Sequence, residues 1–600
     1  MRKSILLAGL ILLSVSMSAQ WKPAGDKIKT AWGENLDPNN VLPEYPRPAM
    51  ERTEWKNLNG LWDFSLLPIH QNEPAAYDEK ILVPFPVESA LSGLQKAVSE
   101  NQEMWYKRTF TVPSSWKNKH IILHFGAVEW KTEVFVNDVR IGCHTGGYTP
   151  FSFDITPFLK SGEQKLTVKV WDPTEKYFQP RGKQESIPHD IIYTSVSGIW
   201  QTVWIEPVSE KHIASLKTLP NADKNTVAIT VNTENTVPYD YVEINITDGG
   251  KTVATAKAVV TETLELKIPD AKLWSPDSPF LYGMEVSLFS RGKLTDRVTS
   301  YCALRKISTR RDKNGIVRLQ LNNRDLFQFG TLDQGWWPDG LYTAPSDEAL
   351  AYDIVKTKDF GYNMIRKHLK VEPARWYYHC DRLGILVWQD MPSGSNHWDE
   401  TRSHFIDSRV QQPASAAQAN YFKEWKEIID FLYSYPSIVM WVTFNEGWGQ
   451  FKTGEMAAWT KAYDDSRLLN AASGGNFYHE GDVLDLHNYP EPRMFLYDAN
   501  KPTVLGEYGG IGYAIEGHLW QPDKNFGYVD YKSSKEITDK YIEYTEILKS
   551  LKGFSAAVYT QTTDVEGEVN GLLTYDRKKI KFDEAAVRKA NQDVINEMVK

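Results

Sequence analysis

From about residue 58 to residue 301, apolar and polar positions alternate with the two-residue period of half-buried strands. LNGLWDFSL (58–66), WYKRTFTVP (105–113), IILHFGAV (121–128) and TEVFVNDVRIG (132–142) carry it, and QKLTVKVWD (164–172) and GIWQTVWIEPV (198–208) complete a first set. Asn137-Asp138 punctuates the fourth run as a hairpin turn. A second set follows in NTVAITVNTEN (225–235), YVEINITDGGKTVATAKAVV (241–260), ETLELKIPD (262–270) and PFLYGMEVSLFSRGKLTDRVTSY (279–301), with DGG and RGK as turns. Short strands separated by turn signals predict two antiparallel sandwiches, at 20–207 and 208–306.

After Arg310 the texture changes. Short apolar runs at 326–330, 364–369, 385–391, 438–446, 468–474, 483–489, 503–509 and 554–561 now alternate with helical patterns. SDEALAYDIVKTKDFG opens on Ser346 as an N-cap and closes on Gly361. YFKEWKEIIDFLYSY and SKEITDKYIEYTEILKSLKG repeat apolar residues every 3.6 positions. Eight strands alternating with helices predict a (β/α)8 barrel over 307–600, with the link between the fifth and sixth strands the least regular.

Ahead of the sandwiches, Arg2 and Lys3 precede an apolar run from Ile5 to Leu13 and small residues up to Ala19. That is the pattern of a secretory signal peptide over 1–19 and is too short to span a membrane. It implies export across the inner membrane, most simply to the periplasm, with no membrane anchor. The net charge of −9 and the absence of a long Lys/Arg block exclude a nucleic-acid footprint. Cys143, Cys302 and Cys380 are odd in number and widely spaced, so they predict buried free thiols rather than disulfides or a zinc site. The 21 Trp and 30 Tyr suit large sandwich cores, and they also suit surfaces on which sugar rings stack.

The ends of barrel strands are where such folds gather chemistry. There the sequence places Asp390, Asn445 and Glu446, His487 and Tyr489, and Glu507. Two carboxylates facing one aromatic-rich mouth suit cleavage of a glycosidic bond, since one must deliver a proton and the other must stay ionised. A lone Glu at a strand end is more often a salt-bridged rim residue, and it is the pair that turns the reading.

YPSIVMWVTFNEGWG (435–449) resembles the acid/base motif of glycoside hydrolase family 2, and KPTVLGEYGG (501–510) resembles its nucleophile strand. NMIRKHLKVEPARWYYHCDRLGILVWQDMP (363–392) is similar to its second and third barrel strands, and the N-terminal runs are similar to its sugar-binding domain. The resemblance covers nearly the whole mature chain. It implies a jelly-roll-like sandwich, an immunoglobulin-like sandwich and a TIM barrel. It also implies a retaining, exo-acting hydrolase of terminal sugars on oligo- or polysaccharides, with Glu446 as acid/base and Glu507 as nucleophile, their carboxyl groups about 5–5.5 Å apart. Asn445 would bind the sugar 2-hydroxyl, Tyr489 would tune Glu507, and Arg366 and His368 would bind hydroxyls or hold Glu507 ionised. His487 joins them in the mouth. Asp390 would bind sugar or pair with Arg366. Trp336 and Trp337 after the first strand, Trp398 beside His397, and Trp520 beside His518 are expected to shape subsites or to fold their loops onto the barrel.

β-Galactosidases, β-glucuronidases, β-mannosidases and α-L-arabinopyranosidases all fall within this resemblance. Glucuronidases carry an Asn-x-Lys motif after strand eight, where this chain has Glu568 and Asn570 without a lysine. That ranks a β-D-galactoside first, although Tyr559 and Gln561 stand where many galactosidases end strand eight with Trp. The mechanism needs no cofactor. Some relatives bind Mg²⁺ or Na⁺ near the acid/base, and this sequence offers no oxygen-ligand cluster of recognisable spacing for either. The reading from another class is a non-catalytic carbohydrate-binding protein, against which the intact Glu446 and Glu507 argue. The leader predicts that the exported protein begins at Gln20; mass spectrometry of the purified chain would show this, and an uncut, cytoplasmic N-terminus would refute it.

Overall fold

The computed structural model describes residues 21–392, 415–475 and 477–600. The first sandwich sets a six-stranded antiparallel sheet, ordered Glu79–Val83, Gly60–Pro68, Gln102–Thr111, Glu163–Trp171, Lys131–Val136 and Val139–Thr145, over a four-stranded sheet. The alternation predicted for these runs points Trp62, Phe64, Met104, Tyr106, Leu123, Leu166 and Val168 into one core. Asn137 and Asp138 both adopt left-handed φ (50° and 70°), as a tight hairpin turn requires. The second sandwich pairs sheets of three and four strands around Ile229, Ile244 and Val286.

The third domain is a nearly closed parallel barrel. Its strands are β1 (Gln328–Asp333), β2 (Met364–Lys367), β3 (Leu386–Asp390), β4 (Ile438–Val442), β5 (Leu468–Asn470), β6 (Leu484–Asn488), β7 (Thr503–Gly509) and β8 (Phe554–Thr560). Hydrogen bonding runs β5-β4-β3-β2-β1-β8-β7-β6. β1 starts two residues later than its apolar run, because Leu326 N–H is taken by the Leu319 carbonyl of a hairpin that plugs the barrel floor. Around the strands lie α1 (Asp347–Asp359), α2 (Ala374–Leu383), α3 (Ser415–Leu432), α4 (Thr453–Tyr463), α5 (Ser534–Ser550) and α6 (Glu584–Met598). Ser346 caps α1 through Ala349 N–H, and Ser533 caps α5 through Glu536 N–H. Among the described residues no helix is long and apolar enough to cross a membrane.

Of the three thiols, Cys302 and Cys380 are buried, but Cys143 is exposed on strand Val139–Thr145. That strand lies at the edge of the six-stranded sheet, so its outward positions have no second layer to enter. The expectation of three buried thiols is corrected at this position.

The sequence was least regular between β5 and β6, and here the main-chain ladder is interrupted. Side chains bridge the seam instead. Asp485 on β6 accepts from Asn470 Nδ2 on β5 (2.6 Å), from Ser473 Oγ (2.5 Å) and from Gly506 N–H on β7 (2.6 Å). Burial pushes its carboxyl up to about 6. Replacing Asp485 with Ala strands those donors, each at a cost of about 1–3 kcal/mol. A lowered Tm is the expected result, and an unchanged Tm would show that the seam does not depend on this carboxylate.

Candidate active site

Arg366, at the C-terminal end of β2, is fully buried, and its guanidinium organises the barrel mouth. Nε and Nη2 donate to the two Asp390 oxygens (3.1 and 2.8 Å). Nη2 also donates to Asn445 Oδ1 (2.8 Å), and Nη1 donates to Glu507 Oε1 (3.1 Å) and to the Gly506 carbonyl (3.2 Å). This planar fork ties the ends of β3, β4 and β7 to β2. Asp390, for which sugar binding and pairing with Arg366 were both expected, has the second role: His368 Nδ1 also bonds its Oδ2 at 2.8 Å, so both oxygens are engaged by protein. A carboxylate can only accept, so His368 carries its proton on Nδ1 and Nε2 keeps a lone pair.

Glu507 additionally accepts from the Tyr489 hydroxyl (2.8 Å), which stays protonated because burial and the Glu507 charge push its phenol well up. Tyr489 is fixed by a stacked Tyr528 ring (3.8 Å between centroids, 9° between planes) and by Thr560 Oγ1 at 2.7 Å. Burial alone would raise the Glu507 carboxyl. The charges of His487 and Arg366 outweigh burial and the neighbouring Glu446, and hold it below the ordinary glutamate range.

Glu446 follows β4 in a left-handed conformation (φ 51°) that non-glycine residues rarely hold, and its N–H is fixed by the Ser473 carbonyl at 2.9 Å. His487 Nδ1 meets Glu446 Oε1 at 2.5 Å, while its Nε2 meets Ser473 Oγ at 2.7 Å. Ser473 Oγ donates its proton to Asp485, and the Arg366 Nη1 donor also lies 3.4 Å from His487 Nε2. One carboxylate oxygen of Glu446, one of Glu507 and a His487 nitrogen all lie within 4.8 Å of one another. That spacing would also admit a metal ion, but Arg366 and Tyr489 already donate to Glu507, and a fully buried guanidinium beside the cluster opposes a cation.

The structure thus brings Arg366, His368, Asp390, Asn445, Glu446, His487, Tyr489 and Glu507 into one site. Of the two readings open for Trp336 and Trp337, shaping subsites or folding their loops onto the barrel, the structure takes the second. Trp336 and Trp337 are buried, 1% and 3% exposed. Trp336 lies against Tyr193 and Tyr342, and Trp337 lies between the edge of Trp32 and the Arg577 guanidinium, 4.0 Å from its ring. Their apolar area closes the junction between barrel and first sandwich. One face of Trp520 is covered by Lys27 Nζ at 3.6 Å, with Tyr575 at its edge, and His518 is paired with Asp576. Trp398 and His397 lie outside the described residues. On strand eight, Tyr559 is buried in the core, whereas Gln561 just beyond it joins Gln334, Asn570, Glu568 and Tyr193 in a hydrogen-bonded cluster. Ser473, Asp485, Tyr193 and Gln334 had no local signature, since only the closing of the barrel and the docking of the sandwich make them neighbours of the site.

Comparison with known proteins agrees with this geometry. The chain is 27% identical over 488 residues to a putative beta-glucuronidase of Formosa agariphila, covering 77% of this chain and 52% of that protein. It is 26% identical over 471 residues to a beta-galactosidase of Thermoanaerobacter pseudethanolicus, covering 73% and 55%. The chain therefore spans about half the length of these curated relatives. Its fold matches the structure of a beta-D-glucuronidase of Dictyoglomus thermophilum with a TM-score of 0.73 at 18% identity, covering 92% of this chain and 98% of that one. The sugar binding domain of glycosyl hydrolases family 2 matches residues 74–206, the family 2 domain matches 211–305 and the family 2 TIM barrel domain matches 343–589. In sequence, fold and domain order, then, this chain belongs to glycosyl hydrolases family 2.

Proposed function

We propose that the protein is a retaining, exo-acting glycosidase that releases a terminal sugar by double displacement, with a β-D-galactoside as the leading substrate. The observation that carries this reading is the convergence of Glu446 and Glu507 oxygens within 4.8 Å in unlike surroundings. Inverting enzymes keep their carboxyl groups about 6.5–9.5 Å apart to admit a water, whereas retaining ones bring them to about 5–5.5 Å. Glu507, held ionised by Arg366 and Tyr489, is placed to attack the anomeric carbon. Glu446, bonded to His487, is placed to protonate the departing oxygen, then to take a proton from the water that releases the sugar. Arg366 occupies Asn445 Oδ1, which leaves the Asn445 amide as the donor for a sugar hydroxyl. No step needs a cofactor.

Galactose is favoured over glucuronate by the loop after β8. Glu568 stands there as a buried carboxylate that accepts from Tyr193 Oη (2.5 Å) and Asn570 Nδ2 (2.9 Å), and an acid there repels a uronate. β-Glucuronide is the second reading, favoured by the buried Lys183 of the first sandwich. The N-terminal pattern supports action outside the cytoplasm.

The test is nitrophenol release from aryl β-D-galactoside, β-D-glucuronide, β-D-mannoside, β-D-fucoside and α-L-arabinopyranoside, with the product anomer followed by NMR. Glu446→Gln is expected to slow turnover about 10²–10⁴-fold and Glu507→Ala to abolish it in a folded protein. Full activity in Glu507→Ala, or an inverted product, would overturn the mechanism. Tyr489→Phe removes a bond made to the ionised Glu507, so the Glu507 carboxyl should move up towards its ordinary range. Activity is lost as pH falls through that value, so the acid limb of kcat/KM should shift to higher pH. An unshifted limb would separate Tyr489 from the state of Glu507.

A further inference from the structure

The first sandwich sends residues 173–197 across the barrel mouth. Within that stretch Gln184 and Glu185 pair in parallel with Tyr193 and Thr194, and Tyr193 N–H donates to the Lys183 carbonyl at 2.8 Å. Gly182, in the left-handed region (φ 60°), passes so close to the barrel that a Cβ there would lie 2.4 Å from the Leu369 carbonyl, next to His368. Lys183 is thereby pinned over the end of β2. It is 7% exposed, with Nζ 5.5 Å from the Trp448 ring, two residues beyond Glu446, and 5.8 Å from the Tyr193 ring. Burial first and the Lys183 charge second drive His368 well below the usual imidazole range, which places that charge within reach of the site.

Among the described residues, Lys183 Nζ makes no hydrogen bond or ion pair with any side chain or carbonyl. The other buried lysines of this barrel are all paired: Lys367 with Asp333 and Glu372, Lys370 with Glu372, and Lys581 with Asp564. Glu568 spends both oxygens on Tyr193 and Asn570. A buried ammonium without a counter-charge is costly, and a ligand that supplies one recovers that cost.

We propose that Lys183 is a specificity residue that binds an anionic substituent, a carboxylate or a sulfate, on the glycan held at this mouth. Nearby stand the Trp448 ring, 5.5 Å from Lys183 Nζ, and His368, next to the Leu369 carbonyl that Gly182 approaches. The substrate class is thus a glycan, galactosides included, that carries an acidic substituent recognised by a charge on the sandwich rather than on the barrel. The proposal rests on the glycosidase reading for the sugar chemistry of its ligand.

The test reads binding without turnover. Calorimetry on the full chain would compare D-glucuronate, D-galacturonate and D-galactose 6-sulfate with D-glucose and D-galactose, for wild type, Lys183→Met and Lys183→Arg. A charged sugar should bind wild type about 10–100-fold more tightly than its neutral counterpart. The advantage should vanish in Lys183→Met and return in part in Lys183→Arg, and the preferred acid distinguishes carboxylate from sulfate. No advantage for any charged sugar, or one that survives Lys183→Met, overturns the proposal. A Lys183-dependent preference in a chain that cleaves no glycoside would instead sink the glycosidase reading and leave this one standing.

Discussion

The site depends on one buried guanidinium. Arg366 has no exposure, and it can remain charged there only because carboxylates and carbonyl oxygens surround it. Losing one partner of such a buried set costs about 3–5 kcal/mol, so Asp390, Asn445 and Glu507 are held as a group rather than singly. The same charge that fixes their positions lowers the Glu507 carboxyl. Geometry and ionisation are therefore linked through Arg366, with the His487 charge adding to the second.

A second chain of bonds runs in the other direction, from Asp485 through Ser473 and His487 to Glu446. It begins at the seam between β5 and β6, where the backbone ladder is interrupted. The carboxylate that bridges the seam also anchors Ser473, which bonds His487 Nε2. Barrel closure and placement of Glu446 thus share one network, and Glu446 can hold its left-handed backbone because Ser473 anchors it.

The sandwich contributes to the site as well as to packing. Tyr193 bonds Glu568 in the loop after β8, Thr194 bonds Glu566, and Lys183 overhangs β2. A continuous apolar cluster containing Tyr148, Trp200, Trp336 and Tyr342 makes the junction rigid enough for this. That is the physical use of the paired tryptophans after β1: their area buys docking, not stacking on sugar.

Much of this was legible in the chain itself. Period-two alternation marked the sandwich strands, Ser346 marked a helix start, and the residues ending β2, β3, β4, β6 and β7 named the mouth, because strand direction alone carries them to one end of a parallel barrel. What remained illegible depends on through-space neighbours. No local pattern says that Ser473 and Asp485 stitch a seam, that Asp390 gives both oxygens to Arg366 and His368, or that Arg577 covers Trp337. Nor does composition distinguish a tryptophan that faces solvent from one sealed under another domain. The sequence by itself determined where the strands lie, since that follows from local periodicity, and its resemblance to family 2 motifs singled out Glu446 and Glu507 at their ends. Only the tertiary structure decided which charges are satisfied and which, like Lys183, are left for a ligand, because desolvation and pairing are set by residues hundreds of positions apart.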